Sequence, residues 1–211
     1  MTAEPAPPRP RGRRRGADDG EGARAAIVRA AAKEFTESGY DGISLRAVAR
    51  RAGVDPALVH HYFADKADLF AATLQIPIRP DRLVAQILRG PRDEIGTSIV
   101  RTMVGRFADT GTRDAILGLV RTALGHEFAA RMLRQFLLRE VLHRITTELG
   151  LDDGERRAGF AASQLVGLII ARYGIRLGPL ADAADEDVIA TVGAVVQWYL
   201  TGDLDGDPPR A

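Results

Sequence analysis

Apolar positions recur at spacings of three and four along almost the whole chain, and no stretch shows the period-two alternation of a strand, so the pattern predicts an all-α protein. Over 22–38 the residues Ala23, Ile27, Ala30, Ala31 and Phe35 share one face, and Gly39-Tyr40-Asp41-Gly42 ends the helix. A short helix then opens at Ser44, whose hydroxyl can accept a first-turn N–H, and carries Leu45, Val48 and Ala49 inward. Arg46, Arg50 and Arg51 fall on or beside its other face, and Gly53 stops it by taking the left-handed conformation without a Cβ penalty. Asp55 caps a second short helix with Pro56 at its first position, where no amide is needed, while Val54, Val59, Phe63 and Leu69 supply anchors. Two short helices around a tight turn form a helix-turn-helix, whose second helix enters the DNA major groove.

A further helix starts near Asp65 and stops before Ile76-Pro77, a joint that Arg79-Pro80 reinforces. Beyond it the pattern predicts helices over 81–88, 92–108, 113–125, 127–149, 153–175 and 185–200, separated by Gly- and Pro-containing breaks such as Arg89-Gly90-Pro91 and Gly178-Pro179. No repeat of solenoid length is present. The expected organisation is a disordered basic arm at 1–21, a three-helix helix-turn-helix DNA-binding domain with its connecting helix at 22–76, a C-terminal helical ligand-binding and dimerisation domain at 77–204, and a disordered tail at 205–211.

The 211 residues suffice for a small module plus a larger one, and 45% apolar with 27% charged residues is ordinary for a folded soluble protein. A net charge of +1 does not by itself name a nucleic-acid partner. Its distribution is more informative: residues 9–15 hold five arginines and no acid, whereas 180–211 hold seven acids against Arg210 alone. There is no cysteine, hence no disulfide framework, and no apolar run of membrane-spanning length, so a cytoplasmic protein with no membrane partner is the expectation.

Gly53-Val54, the capped Pro56-Ala57-Leu58-Val59, the aromatic run His60-His61-Tyr62-Phe63, and Lys66 followed by Asp68-Leu69 resemble the DNA-binding signature of TetR-family repressors. Ile27, Ala30, Ala31, Phe35 and Gly39-Tyr40 resemble that family's first helix and closing turn, so the likeness covers about the first third of the chain. It implies that Arg46, Pro56, Ala57 and Leu58 occupy base-contacting positions and that His60 stands where a phosphate-binding or base-adjacent tyrosine is usual. Ser44 and Lys66, at the outer ends of the motif, are placed to grip phosphate, which fixes register without reading sequence. With the cap Asp55 and the neighbouring His61 and Tyr62, these residues make the expected DNA-binding set. Pro56, Ala57 and Leu58 offer no side-chain hydrogen bond, which leaves Arg46 and His60 as the polar readers.

In the larger domain, Met103, Phe107 and Phe128 with Arg106, Arg121, His126 and Tyr173 give the mixture expected of a mainly apolar pocket with a few orienting polar groups. Ala162, Val166 and Ile170, together with Val188, Val192, Val195 and Tyr199, make two broad apolar faces expected at a subunit interface, and in TetR-like proteins the last two long helices build a four-helix dimer bundle. His126-Glu127 lacks metal-ligand spacing, and no GxSxG, P-loop, dinucleotide or Cys/His motif occurs, so no catalytic residue, metal or cofactor is expected. The resulting expectation is a homodimeric transcriptional regulator, a repressor released from a palindromic operator in double-stranded DNA by a small apolar or amphipathic effector. Its rivals are a helix-turn-helix protein without an effector and, from another class, a helical enzyme.

Overall fold

The computed structural model describes residues 18–74 and 79–206, and the elements among them are helical. The basic arm up to residue 17, the joint at Ile76-Pro77 and the tail from residue 207 lie outside the described residues. The N-terminal unit comprises α1 (Asp18–Ser38), α2 (Leu45–Ala52), α3 (Pro56–Tyr62) and α4 (Lys66–Thr73). The first helix starts four residues before the expected boundary at 22, because Gly20 and Gly22 lower helix propensity without forbidding the conformation. Its buried face, Ile27, Ala31 and Phe35, meets Val48, Ala49, Val59, Leu69 and Phe70 in one core.

The local signals account for the elements that hold this unit's shape. Ser44 Oγ accepts from the Ala47 N–H at 3.2 Å, Gly53 ends α2 at φ 69°, and Asp55 Oδ1 accepts from the Ala57 N–H at 2.7 Å. Asp65 caps α4 in the same way, accepting from the Asp68 N–H at 2.8 Å.

The C-terminal unit contains α5 (Pro80–Ile87), a 3₁₀ turn (Arg92–Glu94) leading into α6 (Ile95–Phe107), and α7 (Thr110–Gly125). A long helical run follows: α8 (Glu127–Gln135), a π-helical stretch (Phe136–His143) and α9 (Arg144–Glu148). Then come α10 (Gly154–Leu168) with its own π-helical continuation (Ile169–Gly174), α11 (Gly178–Ala181) and α12 (Asp185–Thr201). The expected helix over 127–149 is therefore interrupted by wider turns, and α11 occupies a place read as a separator. π-Helical turns are rare and concentrate at functional sites.

Helices α6 and α12 cross closely through two glycines, since a Cβ on Gly96 would fall 2.5 Å from the Gly193 carbonyl oxygen and one on Gly193 would fall 2.8 Å from Thr97 Cα. Gln197 closes the crossing: its side-chain oxygen accepts from the Gly96 N–H at 2.7 Å and its amide donates to the Arg92 carbonyl at 3.0 Å. Arg172, buried to 8% exposure, joins α10 to the start of α12 by donating to the carbonyls of Leu180 and Ala183 and to Asp185. Arg157 does the same at the other end, donating to the carbonyls of Tyr199 and Gly202.

Two of the seven residues expected at a subunit interface, Val188 and Val192, are buried in the protomer's own core with Val100, Ile145, Ala161 and Val196. Ala162 and Val166 face an internal cavity, Ile170 is half-buried, and Val195 and Tyr199 are half-buried. Helical period shows that a face is apolar and leaves open what covers it, and within the protomer α6 packs over much of the α12 face. Beyond its first turn, α10 leaves outward Gly159, Phe160, Ser163 and Gly167, with Phe160 43% exposed and its ring stacked on Tyr199 at 5.5 Å.

Candidate nucleic-acid interface and regulatory cavity

The two short helices expose most of the expected DNA-contacting residues. Ser44, Arg46, Asp55, Pro56, Ala57, His60 and His61 are exposed, and Leu58, Tyr62 and Lys66 are half-buried. Leu58 and Tyr62 also pack against the N-terminal core, which gives them a structural share, and His61 meets the Tyr62 ring edge-on at 5.1 Å. Lys66 Nζ lies 4.6 Å from the centroid of the Tyr40 ring, so its ammonium is held in a defined place at the outer end of the motif.

Arg51 differs from its neighbours Arg46 and Arg50. Its guanidinium donates to Glu34 at 2.6 Å and to Glu37, which ties α2 to α1. That hydrogen bond with Arg51 holds the Glu37 carboxyl below its ordinary value. Tyr40 is 1% exposed; burial first, and then the neighbouring Glu140, push its phenol above the ordinary range, although its hydroxyl makes no hydrogen bond of good geometry.

In the C-terminal unit, helices α5, α6, α7, α8 and α10 and the π-helical stretches line a cavity of about 150 Å³. Of the expected pocket residues, Met103, Arg106 and Phe107 line it, and Tyr173 stacks behind Phe107 with ring centroids 4.4 Å apart. Arg121 and His126 do not line it and are exposed, on the outer side of α7 and in the turn after it. Phe128, 36% exposed, instead borders a separate cleft between the two units with Phe35, Phe70 and Met132. Residue type alone points to these three, and a helix face turned outward carries the same residue types as one turned inward.

The element joining the cavity to the N-terminal unit carries no local motif. Phe136 lines the cavity and is also buried in the N-terminal core, with its ring 5.5 Å from Phe70. Val141 lines the cavity and packs against both cores. Around them Arg139 bonds Asp41 at 2.6 Å and Arg144 approaches Asp65 at 3.5 Å. Met132 and Phe136 do share a helical face, which is the one signal available, but nothing local says what they meet.

Among the described residues no group of three or more His, Cys, Asp or Glu side chains is arranged to hold a metal, and no helix is long and apolar enough to cross a membrane.

Comparison with known proteins agrees with this architecture. Residues 27–73 match the family model "Bacterial regulatory proteins, tetR family", and residues 93–200 match "Tetracyclin repressor-like, C-terminal domain". The chain is 30% identical over 194 residues to the HTH-type transcriptional regulator BetI of Rhizobium meliloti, covering 88% of this chain and 93% of that one. It is 29% identical over 192 residues to BetI of Agrobacterium fabrum, covering 88% and 89%. A solved TetR-family regulator from Streptomyces coelicolor is similar over 90% of this chain and 99% of its own, with 34% identity and a TM-score of 0.50. With both family models matched in sequence order and a helix-turn-helix capped as its residues require, this chain belongs to the TetR family of DNA-binding transcriptional regulators, a non-enzymatic family.

Proposed function

We propose that the protein is a homodimeric repressor that reads a two-fold symmetric operator and is released from it when a small apolar molecule occupies the cavity in its C-terminal unit. Arg46 and His60 read base edges, Pro56, Ala57 and Leu58 meet thymine methyls, and Ser44 and Lys66 hold phosphate, while Asp55 fixes the start of the recognition helix and His61 and Tyr62 support its far side. The subunits meet through the outward strip of α10 around Phe160 with the adjoining face of α12 at Val195 and Tyr199, continuous with Ile170.

The observation that carries the ligand-relief reading is the double membership of Phe136, a wall of the cavity and a buried member of the DNA-binding core. A ligand shifts the equilibrium only through its different affinity for two arrangements, and a shared wall gives the cavity a different shape in each. An open cavity of about 150 Å³ supports this reading over the rival without an effector, which calls for a filled one.

Selection from a random duplex library at moderate salt tests operator reading. Enrichment of one two-fold symmetric site is expected, with affinity falling as salt rises because phosphate contacts release counterions. No preference for any duplex would overturn it.

A further inference from the structure

We propose that the cavity takes a small uncharged hydrocarbon, of the size of a monocyclic arene, and rejects molecules of the same shape that carry a charge. The proposal rests on reading this cavity as the regulatory site, and it narrows an apolar or amphipathic ligand to a neutral one.

Chemistry of the walls leads to this class. Ile99, Phe107, Val120, Leu137 and Leu165 represent a lining in which, among the described residues, only Thr102 and Arg106 have polar side chains. The Thr102 hydroxyl already donates to the Ser98 carbonyl at 2.7 Å, one turn back on its own helix. Arg106 is half-buried and already engaged within the protomer. No carboxylate or amide side chain lines the space, so an ammonium entering it loses its hydration and gains no counter-charge to offset that loss. A carboxylate has to displace whatever already holds Arg106 before it recovers any of that loss. A hydrocarbon has no such cost and gains the whole apolar contact.

Volume narrows the class further. A cavity of about 150 Å³ walled mainly by aliphatic and aromatic side chains has the volume for a single aromatic ring, the size of ligand that apolar cavities of that volume accept. Two aromatic residues, Phe107 and Phe136, stand in the wall, the former backed by Tyr173 at 4.4 Å and the latter by Phe70 at 5.5 Å, so both rings are held in place.

Toluene, benzoate and benzylamine share one ring and differ in charge, and titration calorimetry on the full-length protein without DNA separates them. Toluene is expected to bind and to raise the thermal midpoint, and the two charged probes to bind at least about tenfold more weakly. A charged probe binding as tightly as toluene, or no toluene binding to folded protein, would overturn the proposal. Leu137→Phe fills the space and is expected to abolish binding of toluene. Should that variant not fold, Leu137→Ala enlarges the cavity and is expected to move preference toward naphthalene; unchanged preference would place the bound ring elsewhere and overturn the proposal too. Operator occupancy is read separately: toluene that binds without releasing DNA overturns the effector reading alone, and a preference for charge overturns the neutral-ligand proposal alone.

Discussion

The rings of Phe70 and Phe136 lie 5.5 Å apart at a tilt of 49°, one on the last helix of the DNA-binding unit and the other in the π-helical wall of the cavity. Through Phe70 the contact continues to Phe35 at 4.7 Å and to Tyr40 at 5.2 Å, so one chain of ring contacts runs from the cavity wall to the helix that braces the recognition motif. Packed interiors respond to displacement by switching between arrangements and do not deform smoothly.

Phe136→Leu is therefore expected to keep operator binding but weaken release by a cavity ligand, because it preserves most of the volume and loses the ring contact. Phe136→Ala opens a void shared by both cores and is expected to cost about 3–5 kcal/mol in denaturant unfolding. Release by ligand that is undiminished in Phe136→Leu would show that coupling runs elsewhere.

On the DNA edge, Lys66 and the pair Arg46 and His60 are expected to separate in kind. Lys66→Ala should weaken binding to all duplexes about equally and reduce the salt slope by about one, whereas Arg46→Ala or His60→Ala should change preference at particular base pairs by about 1–3 kcal/mol. Library selection with each variant checks this, and a base-specific change in Lys66→Ala would reassign that residue.

At the crossing of α6 and α12, Gly96→Ala or Gly193→Ala places a methyl against backbone that has no rotamer to yield. Each is expected to destabilise the protomer by about 1–3 kcal/mol or more. Chemical denaturation measures the cost, and a change below about 0.5 kcal/mol, ordinary for a surface site, would contradict the close approach.

Phe160 and Val192 are expected to behave oppositely although both lie on the last two long helices. Phe160→Glu puts a charge on an exposed ring position and should yield folded monomers, while Val192→Glu buries a carboxylate in the protomer core and should unfold it. Circular dichroism with analytical ultracentrifugation distinguishes them; an intact dimer in Phe160→Glu would move the interface away from that strip.

The helix-turn-helix was legible because each of its devices is local. A serine cap bonds three residues ahead, a glycine takes a left-handed φ by itself, and an Asp-Pro pair starts a helix within one turn, so Ser44, Gly53 and Asp55-Pro56 could be assigned from the chain alone. The all-α class was equally legible, since period does not depend on what a face meets.

Which apolar face became core, cavity or exposed strip was decided only by the tertiary structure. Val192 and Phe160 are both apolar residues on the last two long helices, yet one is buried in the protomer core and the other is exposed. Arg121 and His126 turned outward while Thr102 and Leu165 turned to the cavity, and Phe136 joined a core formed largely by residues between Ile27 and Ala71. The reason is physical: capping and backbone conformation are set within a few residues, whereas burial depends on which helices arrive at a face, and that is fixed by the packing of the whole chain at once.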